Sequence, residues 1–188
     1  MTEQQPYTVI DARGGFELRR YPQHLVAEVT VSASFEDAGN RAFRSLFGYI
    51  SGQNLARKKV SMTAPVVQSA PAESIAMTSP VVQHSVDGGA SHTVAFVLPE
   101  KMTAETAPIP ESSEVTVRTV PASLSAALGY RGRWTESSYI QHVAELEEAI
   151  ANAGLTPVGS PRLARFDPPY KPAFLRRNEV VIDVVDLA

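Results

Sequence analysis

The sequence predicts an α+β fold: a curved, mostly antiparallel β-sheet or barrel that carries two amphipathic helices. Three observations carry that expectation. Strand-like segments lead into a helix-period segment early in the chain, and the same strand-strand-helix order returns about 99 residues later. Between them the stretch VSMTAPVVQ, from Val60, is repeated almost unchanged as IAMTSPVVQ, from Ile75.

In chain order, Tyr7 to Asp11, Phe16 to Tyr21 and Leu25 to Ser32 read as strands, punctuated by Gly14-Gly15 and Pro22. Ser34 is a helix N-cap with Asp37 three residues on, and Phe35, Ala38, Ala42, Phe43, Leu46 and Ile50 recur at helical spacing before Gly52. The doubled motif supplies two further strands. Proline has no N–H to give to a ladder, so it must point that position away from its partner or sit at a bulge. A hairpin in which Thr63 faces Pro80 and Pro65 faces Thr78 satisfies both prolines at once. The strand HTVAFVLP follows, then a proline-rich crossover over about 99–114.

A shift of 99 residues lays Phe16 to Tyr49 on Val115 to Glu148, matching Pro22 to Pro121, Leu25 to Leu124 and Phe35 to Trp134. A second helix follows, with Thr135 as N-cap, Tyr139, Val143, Leu146, Ile150 and Ala153 on one face, and Gly154 just past its end. A turn-rich loop then enters a last strand, Glu179 to Val185. The expectation is one domain over 1–188, with pseudo-repeats at about 7–98 and 115–185.

Composition removes several function classes. At 188 residues and 44% apolar content the chain can bury one ordinary core, and its net charge of −3 lacks the concentrated basic face that nucleic-acid binding needs. Arg57, Lys58 and Lys59 read as a solvated strand edge. Without cysteine there is no disulfide, thiolate nucleophile or thiolate metal site, and His24, His84, His92 and His142 show no zinc spacing, so no metal site is assigned. No leader or membrane span is evident, which predicts a soluble cytoplasmic chain. There is no nucleophile elbow, phosphate loop or dinucleotide fingerprint. A non-catalytic binding protein is therefore expected ahead of an enzyme. One chain that closes its own barrel also has little need of obligate assembly, so a monomer is expected.

The first helix offers a candidate surface. With the core face centred near Leu46, Phe47 and Asn40 project together to one flank, Phe43 lies between them and the core, and Arg41 and Arg44 lie on the far side. An aromatic off the core stripe either packs under the terminal loop or walls an apolar groove. In that loop Pro168, Pro169 and Pro172 stiffen the backbone around Lys171, while Tyr170 and Phe174 can stack on a flat ligand or plug the barrel end. Met62 and Met77 read as core filling before thioether ligation. His142 reads as a boundary histidine, and Arg176, Arg177 and Glu179 as ion-pairing residues.

The MTAPV and MTSPV pair, the FDPPYKPAFLRRNEV stretch and the order of elements resemble the SOUL/haem-binding protein family over roughly Tyr7 to Val185. The resemblance implies a distorted, mostly antiparallel β-barrel of two repeated units, similar also to gyrase-inhibitor-like effector-binding domains. It implies non-covalent, reversible binding of haem or related tetrapyrroles, as carrier, buffer or sensor, in a groove between the first helix and the loop before the last strand. The residues expected to border that groove are Asn40, Phe43 and Phe47 on one side and Tyr170, Lys171 and Phe174 on the other. Lys171 matches a lysine that the family turns toward the propionates. Asn40 and Gly48 stand where family members carry arginine and lysine, and Arg20 stands where some carry a histidine. Alternative readings are an enzyme acting on a small hydrophobic or tetrapyrrole ligand in the same groove, or a structural or effector-binding module without cofactor.

Overall fold

A computed structural model describes residues 4–13, 15–55, 78–86, 91–167 and 170–185, and within 78–86 the side chain of Gln83 alone. The strands are β1 (Thr8–Arg13), β2 (Phe16–Tyr21), β3 (His24–Val31), β4 (Thr78–Val86), β5 (Ser91–Val97), β6 (Thr116–Val120), β7 (Ser123–Arg131), β8 (Thr156–Arg165) and β9 (Arg177–Val185). The helices are α1 (Phe35–Ile50) and α2 (Glu136–Asn152). All described pairings are antiparallel, in the order β1-β2-β7-β9-β8-β4-β5-β3-β6, which bears out the α+β fold.

Local chemistry sets the helix ends where the sequence places them. Ser34 accepts a hydrogen bond from the Asp37 amide at 3.2 Å, and Thr135 accepts one from the Ser138 amide at 3.3 Å. Gly52 and Gly154 follow the two helices at φ 105° and 73°, in the left-handed region that glycine enters without penalty. The strand-strand-helix order is present twice. β3 and β7 begin in step with the 99-residue shift, whereas the two N-caps are two residues out of it. Trp134 therefore precedes the second cap instead of standing where Phe35 stands.

β8 occupies a stretch between α2 and the turn-rich loop to which the sequence pattern assigns no element. Pro157, Gly159 and Pro161 disguise it: Gly159 has φ 73°, and the register against β9 shifts between Val158 and Arg162. Pro80 likewise falls within a register shift of β4 against β5, between Thr78 and Val81. The expected pairing of Thr63 with Pro80 involves the first motif copy and lies outside the described residues.

Each helix covers one half of the same sheet face. Ala38, Ala42, Leu46, Tyr49 and Ile50 of α1 pack on Leu25, Ala27, Val29, Val94 and Phe96, while Leu146 and Ile150 of α2 pack on Phe16, Leu18, Ala126, Leu128, Val180 and Ile182. The halves meet where Phe35 stacks on Tyr139, 5.1 Å between centroids, and Glu36 accepts from the Glu136 amide at 2.9 Å.

The opposite face is strongly coiled. Asp183 on β9 and Arg118 on β6 line one cavity of about 320 Å³, although five strand spacings separate their strands in the ladder. In a flat sheet that separation is about 24 Å, too wide for so small a cavity. The pairings form an open ladder with β1 and β6 at its ends, but Gln5, just ahead of β1, hydrogen-bonds His24 on β3 at 3.1 Å.

Candidate functional site

Position along α1 determines how its aromatic flank is displayed. Phe43 and Phe47 are one turn apart, so their rings meet on one side of the helix. They stack at 5.8 Å with 14° between planes, and Phe43 also meets the edge of buried Phe96 at 6.4 Å. Both are half-buried, and Asn40 on the same flank is exposed. The pair is thus rooted in the core on one side and open on the other.

The loop between β8 and β9 is pinned at its base. Asp167 accepts from Lys171 Nζ at 2.7 Å and from the Arg177 amide at 2.6 Å. Burial pushes the Asp167 carboxyl up, but these hydrogen bonds and the neighbouring cations outweigh it and hold the group below its ordinary range. Arg176 Nε donates to the Lys171 carbonyl at 2.8 Å, and a single 3-10 turn, Ala173–Leu175, completes the loop. Its aromatic side chains nonetheless stay largely uncovered. Tyr170 is 88% exposed, Phe174 73% and Leu175 42%. The loop thus leaves two aromatic rings uncovered while its base is fixed.

A buried arginine links the two sides. Arg165, at the end of β8, lies against Gly39 of α1 and donates to Gln83 Oε1 at 2.6 Å, while Gln83 donates to the Phe35 carbonyl at 2.9 Å. Burial pushes its guanidinium down to about 10, so it stays charged near neutrality. Arg165 and Arg176 both stack over the Trp134 ring, at 5.0 and 4.5 Å, and Trp134 Nε1 donates to Asn178 at 2.7 Å. The loop thus departs from beside the N-terminal half of α1. Phe43 and Phe47 lie about 6 and 12 Å farther along the helix from Gly39 at 1.5 Å per residue.

The structure brings Phe43 and Phe47 together as one stacked pair, and sets Tyr170, Lys171 and Phe174 on one pinned loop. Among the described residues the rings of Phe43 and Phe47 stack on each other and on Phe96, and not on Tyr170 or Phe174. The sequence reading missed Gly39, Arg165, Gln83 and Trp134. A glycine inside α1, away from either cap, was the available signal for a close approach. The ion-pairing role read for Arg177 and Glu179 holds, with Asp167 and Arg19 as their partners. His142 is a boundary residue, stacked on Tyr130 at 3.8 Å and bonded to the Ser138 carbonyl. Met62 and Met77 lie outside the described residues, among which no group of three or more metal-binding side chains occurs. No described helix is long and apolar enough to cross a membrane.

The chain is similar to proteins already known. A family model described as SOUL heme-binding protein matches residues 2–183. Heme-binding protein 1 from Xenopus tropicalis is 27% identical over 167 residues, which are 88% of this chain and 81% of that protein. Among solved structures, the EcmrR C-terminal domain superposes with a TM-score of 0.63 at 11% identity, over 96% of this chain and 99% of its own. A hydrolase from Listeria innocua gives 0.59 at 14% identity, over 98% and 94%. These two structural likenesses show the fold alone.

Proposed function

We propose, since the chain belongs to the SOUL heme-binding protein family, that it reversibly binds haem or a related tetrapyrrole on the surface between the open flank of α1 and the pinned loop before β9. The observation that carries this reading is the display of Tyr170 and Phe174 on a loop whose base is fixed, beside a helix that presents a stacked phenylalanine pair.

These residues fit a flat ring. The aromatic faces supply apolar contact, worth about 25 cal/mol per Å² buried before the losses of association are subtracted. Lys171 carries three N–H donors and spends one on Asp167, so it can meet a propionate without leaving its pair. Bound haem would bring a Lewis-acidic, redox-active iron to this surface. The chain's own part is to stack, orient and pair with the ring's edge. The three histidines whose side chains are described, His24, His92 and His142, are each engaged away from the patch. His24 spends its two nitrogens on Gln5 and the Pro22 carbonyl, His92 is buried beside Phe35, and His142 is stacked on Tyr130. In this reading ring stacking supplies most of the affinity, and the role is that of a carrier or buffer that releases its ligand intact.

The test is an absorption titration of the protein with haemin and, in parallel, with iron-free protoporphyrin. Saturable binding of both within about tenfold of one another, with no loss of pigment under a mild reductant, is expected when an apolar face supplies most of the affinity. Binding that requires the iron, or turnover of the pigment, would contradict the reading.

A further inference from the structure

The coiled face opposite the helices holds a second cavity that shares no residue with the surface described above. It has an apolar floor, formed by Val26, Ala95 and Val120, and two polar banks. On one bank Arg118 grips Glu28 with two hydrogen bonds, of 3.1 and 2.9 Å. On the other Arg162 Nη2 donates to Asp183 Oδ1 at 2.8 Å and to Ser125 Oγ at 3.3 Å.

The hydrogen-bonding capacity left over is mostly of one kind. Both oxygens of Glu28 accept from Arg118, and Asp183 Oδ1 accepts from Ser125 as well as from Arg162. By contrast, among the described residues Nη1 of Arg118 and both Nε and Nη1 of Arg162 make no hydrogen bond to the protein. His24 is closed on both nitrogens. The cavity is thus lined by two arginines with unused guanidinium nitrogens over an apolar floor, while Glu28 is engaged on both oxygens and Asp183 by Arg162, Ser125 and Ser123. Guanidinium edges match carboxylates in plane and spacing. At about 320 Å³ the cavity is at the small end of ligand sites.

We propose that this cleft is a second binding site, for a small organic carboxylate with an apolar body, whose carboxylate is held by Arg118 and Arg162 and whose body lies on Val26, Ala95 and Val120. The site does not depend on tetrapyrrole binding and lies on the opposite face of the sheet from α1.

The experiment uses the full chain and two probes of similar shape and opposite charge, benzoate and benzylamine, followed by amide chemical shifts in NMR. Benzoate is expected to give saturable shifts at Val26, Ala95, Val120 and Asp183. Loss of a charge-assisted hydrogen bond in Arg118→Gln or Arg162→Gln should weaken benzoate by about tenfold or more. Benzylamine is expected to leave those amides unmoved, and haemin binding by Arg118→Gln to match the wild type. If Arg162→Gln does not fold, Arg118→Gln alone decides. The proposal is overturned if benzylamine binds as well as benzoate, if both variants bind benzoate unchanged, if the shifts fall on α1 and residues 170–176, or if no saturable binding occurs.

Discussion

The guanidinium of Arg165 lies where the β-carbon of any residue larger than glycine would stand at position 39. On an exposed helix Gly→Ala stabilises by about 1 kcal/mol. Here the arginine cannot swing aside freely, because it is buried, bonded to Gln83 and stacked over Trp134. Gly39→Ala should therefore lower stability, by about 1–3 kcal/mol net, through overpacking and a strained buried hydrogen bond. Denaturant midpoints check this. The loss should shrink in an Arg165→Leu background, where the clash is gone.

Arg19 and Glu179 form a second buried relationship whose energetics can be separated. Arg19 is 5% exposed, bonds Glu179 at 2.7 and 3.0 Å, and carries the Tyr7 ring 4.2 Å away. Glu179→Ala removes two charge-assisted hydrogen bonds from buried Arg19 and leaves it only its partly exposed carboxylate partner, so it should cost about 2–3 kcal/mol. Glu17 also bonds Arg19, at 2.7 Å, but its side chain is 42% exposed. Glu17→Ala should cost about 1 kcal/mol or less. Equal losses from the two substitutions in urea unfolding would refute this division of roles.

His24 makes stability depend on pH. Burial depresses its pKa first, and Arg162 and Arg118 push the same way against the Pro22 carbonyl and Asp183. The folded state then binds a proton less readily than the unfolded chain, whose histidine titrates near 6.5. Its contribution is fully present above that value and is lost as pH falls from there through the folded pKa. An NMR titration should find the His24 ring titrating below 6.5. Unfolding midpoints should decline less between pH 7 and 5.5 in His24→Gln than in the wild type.

Much of this fold was legible because local rules and burial agreed. Ser34 and Thr135 cap, Gly52 and Gly154 terminate, and the apolar stripes of both helices face the sheet. β8 was hidden because Pro157, Gly159 and Pro161 are turn signals that a bulged strand tolerates only through its partners. The aromatic members of the candidate surface could be read from the α1 wheel and the proline-rich loop. The Gly39, Arg165 and Trp134 contacts could not, since they depend on where β8 ends relative to α1. The second cavity was equally invisible, because coiling of the sheet gathers residues from five strands that no sequence spacing relates.

The loop before β9 should tolerate loss of its rim charge. Lys171 is part-exposed and ion-paired with Asp167, so its pairing with a ligand propionate adds roughly 0–1 kcal/mol. Lys171→Ala should weaken haemin binding only several-fold, as absorption titration would show. A loss of a hundredfold or more would mean that the propionates, not the ring, anchor the ligand.

The most direct test of the central claim is haemin binding to Phe47→Asp, with circular dichroism as the folding control. The substitution places a charge against the ring surface and dismantles the stack with Phe43, yet it spares the buried stripe of α1. The expected result is a folded protein whose affinity falls by tenfold or more, as losing about 1.4 kcal/mol of apolar contact requires. A folded Phe47→Asp protein that binds haemin as tightly as the wild type would contradict it and place the ligand elsewhere.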